Sequence, residues 1–78
     1  MEYIALFFTT SAAIKFRRKL QKLNTSVKAM PVPRKLSSSC GIAARFSWPE
    51  DLAPLLGEGV EKVYSLNNGD YFLLYEAD

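Results

Sequence analysis

The strongest constraint on the fold is an unbroken apolar run at residues 3–8, Tyr-Ile-Ala-Leu-Phe-Phe. A run of this length without polar alternation is typical of a central strand, because both of its faces are covered. The chain has 78 residues, which is enough for one small domain. The run therefore predicts the central strand of a small sheet, with a second layer packed on it.

The residues after this strand predict a basic amphipathic helix. The hydroxyl side chains at residues 9–11 can each cap a helix, and apolar residues recur at steps of three and four from Ala13 to Leu23. Five lysines and arginines fill the positions between them, and Asn24 suits a helix end. We therefore predict a helix over residues 11–24 with a basic outer face.

The rest of the chain predicts four more strands and a second short helix. Pro31 and Pro33 end the second strand, because proline cannot donate to a sheet ladder. Pro49, with acids after it and leucines at 52, 55 and 56, predicts the helix, although Pro54 limits its regularity. Asn-Asn-Gly-Asp at 67–70 predicts a hairpin turn. The predicted strands cover residues 27–32, 42–48, 61–66 and 71–75.

This order of elements predicts the fold class. It reads β-α-β-β-α-β with an extra C-terminal strand, which is the order of a ferredoxin-like α+β sandwich. Right-handed crossovers would place both helices on one face of the sheet. We expect one domain over residues 1–78.

The composition excludes several kinds of catalytic site. The chain has no histidine and one cysteine, so imidazole catalysis, histidine-ligated zinc and an internal disulfide are ruled out. The longest apolar run near the start is far shorter than the roughly 20 residues that span a bilayer. A lone thiol suits a reducing compartment, so we expect a cytoplasmic protein. The sequence predicts no cofactor, no metal site and no membrane partner.

Charge is divided unevenly along the chain. Residues 1–45 carry nine basic residues and one acidic residue, whereas residues 46–78 carry one basic residue and seven acidic ones. The division indicates an anionic partner, a second copy of the chain, or simply two solvated faces of opposite sign. Proteins that bind nucleic acid add exposed aromatic residues for stacking, but Phe16 lies on the apolar face of the predicted helix. The sequence therefore does not favour a nucleic-acid partner.

The loop at residues 34–41, Arg-Lys-Leu-Ser-Ser-Ser-Cys-Gly, is the candidate site. Cations and backbone N–H groups favour the reactive thiolate of a cysteine, and glycine permits close approach to the sulfur. We therefore expect the sulfur of Cys40 to be exposed to water under positive charge. A free cysteine that packs as a small hydrophobic residue is the alternative. The predicted surroundings of the thiol are Arg34, Lys35, Ser37, Ser38, Ser39, Gly41 and Arg45.

Residues 31–43 resemble the motif of a small bacterial family described as selenium/sulfur carrier-like. The resemblance rests on Pro31-x-Pro33-Arg34-x-Leu36-Ser37-Ser38-Ser39-Cys40-Gly41-Ile42-Ala43, with Phe8-Thr9-Thr10 leading into the helix. It implies that Cys40 is the carrier residue, with Arg34, Ser37, Ser38 and Gly41 around it. It also implies donor and acceptor proteins for sulfur or selenium.

The first helix departs from the family pattern. Relatives commonly have His or Asp soon after the hydroxyl pair and a glutamate further along, and residues 11–18 contain neither. The resemblance therefore does not extend to the surface of this helix.

Three functions fit these observations. The first is a carrier of sulfur or selenium on Cys40, which is transfer chemistry and does not require a stand-alone enzyme. The second is an interaction module that binds an acidic protein or RNA through the basic half, and the third holds a small anion at Arg34 and Ser38. A homodimer through one face of the C-terminal hairpin is a further expectation.

Overall fold

The computed structural model describes residues 2–38 and 40–77. It contains one helix and five strands, which form a single antiparallel sheet in the order β2-β3-β1-β4-β5. The mixed α+β class is therefore confirmed, and so is the central position of the first strand. The elements are β1 (Glu2–Phe7), α1 (Thr10–Lys22), β2 (Val27–Pro31), β3 (Ile42–Ser47), β4 (Val60–Asn67) and β5 (Asp70–Glu76).

Strand β1 is paired along both edges. Ala5 lies opposite Ala44 of β3 on one side and opposite Val63 of β4 on the other. All five residues from Tyr3 to Phe7 are buried. The unbroken apolar run is explained by this position, because neither face of the strand meets water.

Helix α1 begins at the predicted hydroxyl cluster. Thr9 has an extended backbone, and its Oγ1 accepts a hydrogen bond of 3.1 Å from the N–H of Ala12. Ala13, Phe16 and Leu20 are buried against the sheet, as the helical spacing predicts. The basic side chains of the helix are exposed on its outer face. Among the described residues, no helix is long and apolar enough to cross a membrane.

The two faces of the sheet are covered by different kinds of structure. One face packs against α1 in a cluster whose centre includes Phe7, Phe16 and Phe46. On the other face Ile4, Leu6 and Ala43 are buried beneath a second group of side chains. That group comprises Met30, Val32, Leu36, Tyr64 and Tyr71. Because Val32 and Leu36 belong to the connection between β2 and β3, this connection acts as the second cover of the sheet.

The predicted second helix is wrong. In its place Ala53–Leu55 form one 3₁₀ turn, with i→i+3 hydrogen bonds such as Leu55 N–H to the carbonyl of Leu52. Pro54 explains the shortfall, because proline lacks an N–H and its ring clashes with the carbonyl four residues earlier in an α-helix. Leu55 is nevertheless buried against the α1 side of the sheet. The complete ferredoxin-like sandwich with two helices is therefore not found.

The C-terminal hairpin follows the predicted turn. Asn68 and Gly69 have φ angles of 53° and 81°, and the turn joins Asn67 to its strand partner Asp70. Two left-handed residues are typical of the tight turns that match the twist of a hairpin. Phe72, in the second strand of this hairpin, is 52% exposed.

Candidate functional site

The cysteine-bearing connection between β2 and β3 folds back over the sheet. The N–H of Val32 donates to the carbonyl of Gly41 across its base at 3.3 Å, and the N–H of Leu36 donates to the carbonyl of Pro33 at 3.0 Å. Leu36 packs against the buried cluster of Ile4, Leu6 and Ala43. The connection is therefore held by apolar packing as well as by backbone hydrogen bonds.

Ser38 fastens this connection to the sheet. Its Oγ lies 2.9 Å from the carbonyl oxygen of Phe7 and 3.0 Å from Oε1 of Glu61. The same oxygen accepts a hydrogen bond of 3.2 Å from the N–H of Cys40. A hydroxyl has one proton, so the two acceptors share it in a bifurcated bond. Ser38 therefore joins the end of β1, the start of β4 and the cysteine.

Cys40 is buried rather than exposed. The residue is 6% accessible, and its Sγ lies 3.7 Å from Oγ1 of Thr10, the first residue of α1. The prediction of a sulfur held out in water is therefore wrong for this conformation. The physical reason is that the polar loop packs back onto the sheet through Leu36 and Ser38, which carries the cysteine inward.

The predicted cations are in two different places. Arg34 and Lys35 form the exposed turn of the loop, and no described carboxylate forms an ion pair with either. Arg45, in β3 and five residues after Cys40 in the chain, instead binds Glu2 at 3.1 Å and 2.8 Å. The hydrogen bond from Arg45 lowers the pKa of Glu2, and the pKa of Arg45 is raised by the same bond. Arg45 is therefore held by Glu2 in a bidentate pair, and its role beside the thiol stays a prediction.

The remaining predicted residues differ in their surroundings. Ser37 is exposed. Gly41 is also exposed and does not have a positive φ, so its conformation does not require glycine. A Cβ built at Gly41 would meet no atom within 4 Å, so there is open space beside the residue that follows the cysteine. Ser39, the remaining predicted binding residue, lies outside the described residues.

Two side chains of the site were missed by the sequence analysis. Thr10 was interpreted only as a possible helix cap, and Glu61 only as an acid of the C-terminal half. Thr10 contacts Cys40, which lies 30 residues away in the chain, and Glu61 contacts Ser38, which lies 23 residues away. No local motif encodes contacts of this range, because they arise only when β4 and α1 pack beside the loop.

The thiol of Cys40 is covered by the loop and lies next to the start of α1. The sulfur lies beside the first residue of α1, where the positive end of the helix dipole favours negative charge. The loop covers it and is held by the packing of Leu36, by backbone hydrogen bonds and by the hydroxyl of Ser38. Among the described residues, no group of three acidic or thiol side chains could hold a metal ion.

One family of proteins has a sequence model that matches residues 2–58 of the chain, and its description is "Putative Se/S carrier protein-like". No curated protein and no solved structure matches the chain. The matched segment includes α1, the β2–β3 connection and Cys40, whereas β4 and β5 lie beyond it.

Proposed function

The chain belongs to this Se/S carrier-like family, and we propose on that basis that it carries sulfur or selenium on Cys40. The observation that supports the proposal best is the position of the chain's one thiol. It lies within the matched segment and beside the first turn of α1. A persulfide or perselenide anion would be stabilised there by the dipole of the helix.

The loading step is a thiol exchange. The thiolate of Cys40 attacks the outer sulfur of a donor persulfide, R–S–SH. A sulfur–sulfur bond forms at Cys40, the sulfur–sulfur bond of the donor breaks, and R–S⁻ leaves. No external oxidant is needed, because the transferred sulfur is already oxidised in the donor. Unloading repeats the exchange with an acceptor thiolate, and an R–S–SeH donor would load selenium in the same way.

Exchange requires the loop to open, because an attacking sulfur needs access to its target. The bonds of Ser38 to Phe7 and Glu61 must break while the sulfur is exposed. Arg34 and Lys35 already lie at the surface of the loop and would attract the anionic donor. Ser37 and Gly41 would not block a donor from approaching the sulfur. Ser37 is exposed, and a Cβ built at Gly41 would meet no atom within 4 Å outside its chain neighbours.

The proposed setting is a reducing one, such as the cytoplasm, with separate donor and acceptor proteins. A sulfur carried on one thiol needs a donor and an acceptor, so the proposed chemistry is transfer between proteins rather than turnover by this chain alone. Binding of an acidic partner through the exposed basic face of α1 would serve the same transfer, because charge steers encounter more than it sets affinity.

Mass spectrometry after incubation with a cysteine desulfurase and cysteine tests the proposal. We expect a mass gain of one sulfur atom that maps to Cys40 and disappears on treatment with a reducing thiol. Cys40→Ser should remain unlabelled, whereas Ser37→Ala, an exposed change in the same loop, should be labelled normally. No sulfur on Cys40 in the folded protein, or equal labelling of Cys40→Ser, would refute the carrier function.

We also infer that the fold is a reduced form of the ferredoxin-like arrangement. Strand β3 lies between β1 and β2, which α1 connects, as in a split β-α-β unit. The 3₁₀ turn at Ala53–Leu55 occupies the place in the chain of the second helix. An experimental structure with a different order of β1, β2 and β3 would contradict this relationship.

A further inference from the structure

The two edges of the sheet differ in how they are protected. The edge strand β2 carries Lys28 and Pro31, which are common devices against pairing with another strand. The edge strand β5 has neither lysine nor proline, and its middle is Phe72-Leu73-Leu74, with each side chain 51–52% exposed. Strand β5 is therefore an apolar edge that is open to pairing.

We propose that β5 pairs with β5 of a second copy of the chain, antiparallel and about a twofold axis at Phe72. The pairing would join two five-stranded sheets into one. It would place Phe72 opposite Phe72 of the second copy, and Tyr71 opposite its Leu73. Aromatic and aliphatic cross-strand pairs of this kind stabilise antiparallel strands.

The hairpin turn determines which backbone N–H and C=O groups of β5 can form hydrogen bonds with a second copy. The turn has two residues, so its flanking pair, Asn67 and Asp70, exchange hydrogen bonds with each other. Backbone groups alternate in direction along an antiparallel strand. The N–H and C=O groups of Tyr71 and Leu73 therefore point away from β4. A twofold axis at Phe72 brings these groups of the two copies opposite each other.

Charge and strand geometry favour the same register. With the axis at Phe72, Asp70 faces the uncharged Leu74 of the second copy. Moving the axis to Leu73 would instead set Asp70 against Glu76, and directly opposed like charges destabilise a strand pair. Leu74 is also the residue skipped in the pairing of β5 with β4, where Tyr75 pairs with Val63 and Leu73 with Tyr64. The regular part of β5 therefore ends just where the proposed pairing ends.

The exposed area predicts a weak dimer. Three half-exposed apolar side chains contribute roughly 100 Å² each, or about 600 Å² from two copies. Stable interfaces bury about 1,200 Å² or more, and edge pairing adds only the backbone area. Dissociation in the micromolar to millimolar range is therefore expected. Strand β5 lies beyond the family-matched segment, and the proposed pairing does not include Cys40.

Sedimentation from about 10 μM to about 1 mM tests the proposal. We expect a concentration-dependent dimer, which Phe72→Lys should weaken at least tenfold because two like charges would meet on the axis. Ala29→Lys, an exposed change on the opposite edge strand, should leave association unchanged. A monomer at every concentration would overturn the proposal. So would association that survives Phe72→Lys but is lost in Ala29→Lys.

Cross-linking tests the register without relying on a charged variant. In a Cys40→Ser background, Phe72→Cys should form a disulfide-linked dimer with oxidised glutathione. Residues opposed without mutual hydrogen bonds have Cα atoms about 4.5 Å apart, within the range of a disulfide. Leu74→Cys is the matched control, since it is equally exposed but would lie about 14 Å from its counterpart. Equal cross-linking of both variants would overturn the register at Phe72.

Discussion

The two faces of the sheet are both covered, but one is covered by a helix and the other by a loop. Beneath α1, Phe16 packs at 5.2 Å between ring centres against both Phe7 and Phe46. On the opposite face, Leu36 of the β2–β3 connection lies over Ile4 and Leu6. The helix satisfies its own backbone hydrogen bonds, whereas the loop depends on a few bonds to other elements.

This difference separates stability from function. Local opening costs least where few contacts and exposed hydrogen bonds hold a segment. The loop, which carries the thiol, is held by the packing of Val32 and Leu36 and by the part-buried bonds of Ser38, whereas the helix side is packed around three aromatic rings. In the proposed carrier function, opening of the loop would break the contact of Cys40 with Thr10 and leave the packing of Phe16 in place.

The largest expected effect is on the helix side. Phe16→Ala should lower the free energy of unfolding by about 3–5 kcal/mol, because it leaves a cavity in the aromatic cluster. A domain of this size has roughly 4–12 kcal/mol in total, so much of its stability would be lost. Urea unfolding followed by circular dichroism measures the change. A loss below about 1 kcal/mol would mean that α1 is not the main cover of that face.

A smaller and more local effect is expected for the loop. Ser38→Ala should increase the rate at which a thiol reagent labels Cys40 about fivefold, because a lost hydrogen bond of about 1 kcal/mol shifts the loop towards its open form. Ser37→Ala is the control, because Ser37 is exposed in the same loop. Equal labelling rates in the two variants would show that the hydrogen bonds of Ser38 do not hold the loop closed over Cys40.

The smallest effect is expected at the exposed pair of Glu2 and Arg45. The pKa of Glu2 is lowered in the folded protein, so the pair stabilises the fold above pH 4.5. That contribution should be lost as the pH falls through the lowered pKa. Arg45→Gln should flatten the pH dependence of the urea midpoint in this acid range, at both low and moderate salt. An unchanged acid profile would show that the pair adds nothing measurable to stability.

The sequence predicts the parts of the fold that depend on local periodicity and on turn chemistry. Helix α1, with its cap at Thr9, follows from spacing and a hydroxyl side chain. The hairpin turn at Asn68 and Gly69 follows from residues that accept a positive φ. These features are determined by neighbours in the chain, so a single sequence contains the required information.

The errors have two causes, one local and one that lies in contacts between distant segments. Pro54 prevents the second helix, yet the burial of Leu55 depends on α1 and the sheet. The polar residues around Cys40 indicate an exposed loop, but Leu36 and Ser38 draw that loop onto the sheet. Contacts of Ser38 with Phe7 and Glu61 span 31 and 23 residues, beyond the range of any pattern in the sequence.

The central position of β1 has a consequence for synthesis. Its two neighbours are β3 and β4, so residues 2–7 leave the ribosome long before residues 42–67 can shield them. Folding is slowed because the entropy cost of bringing these distant strands together precedes the stabilising contacts between them. During translation, the apolar segment of β1 is therefore exposed until its neighbouring strands have been synthesised. Binding by chaperones would matter most in this interval.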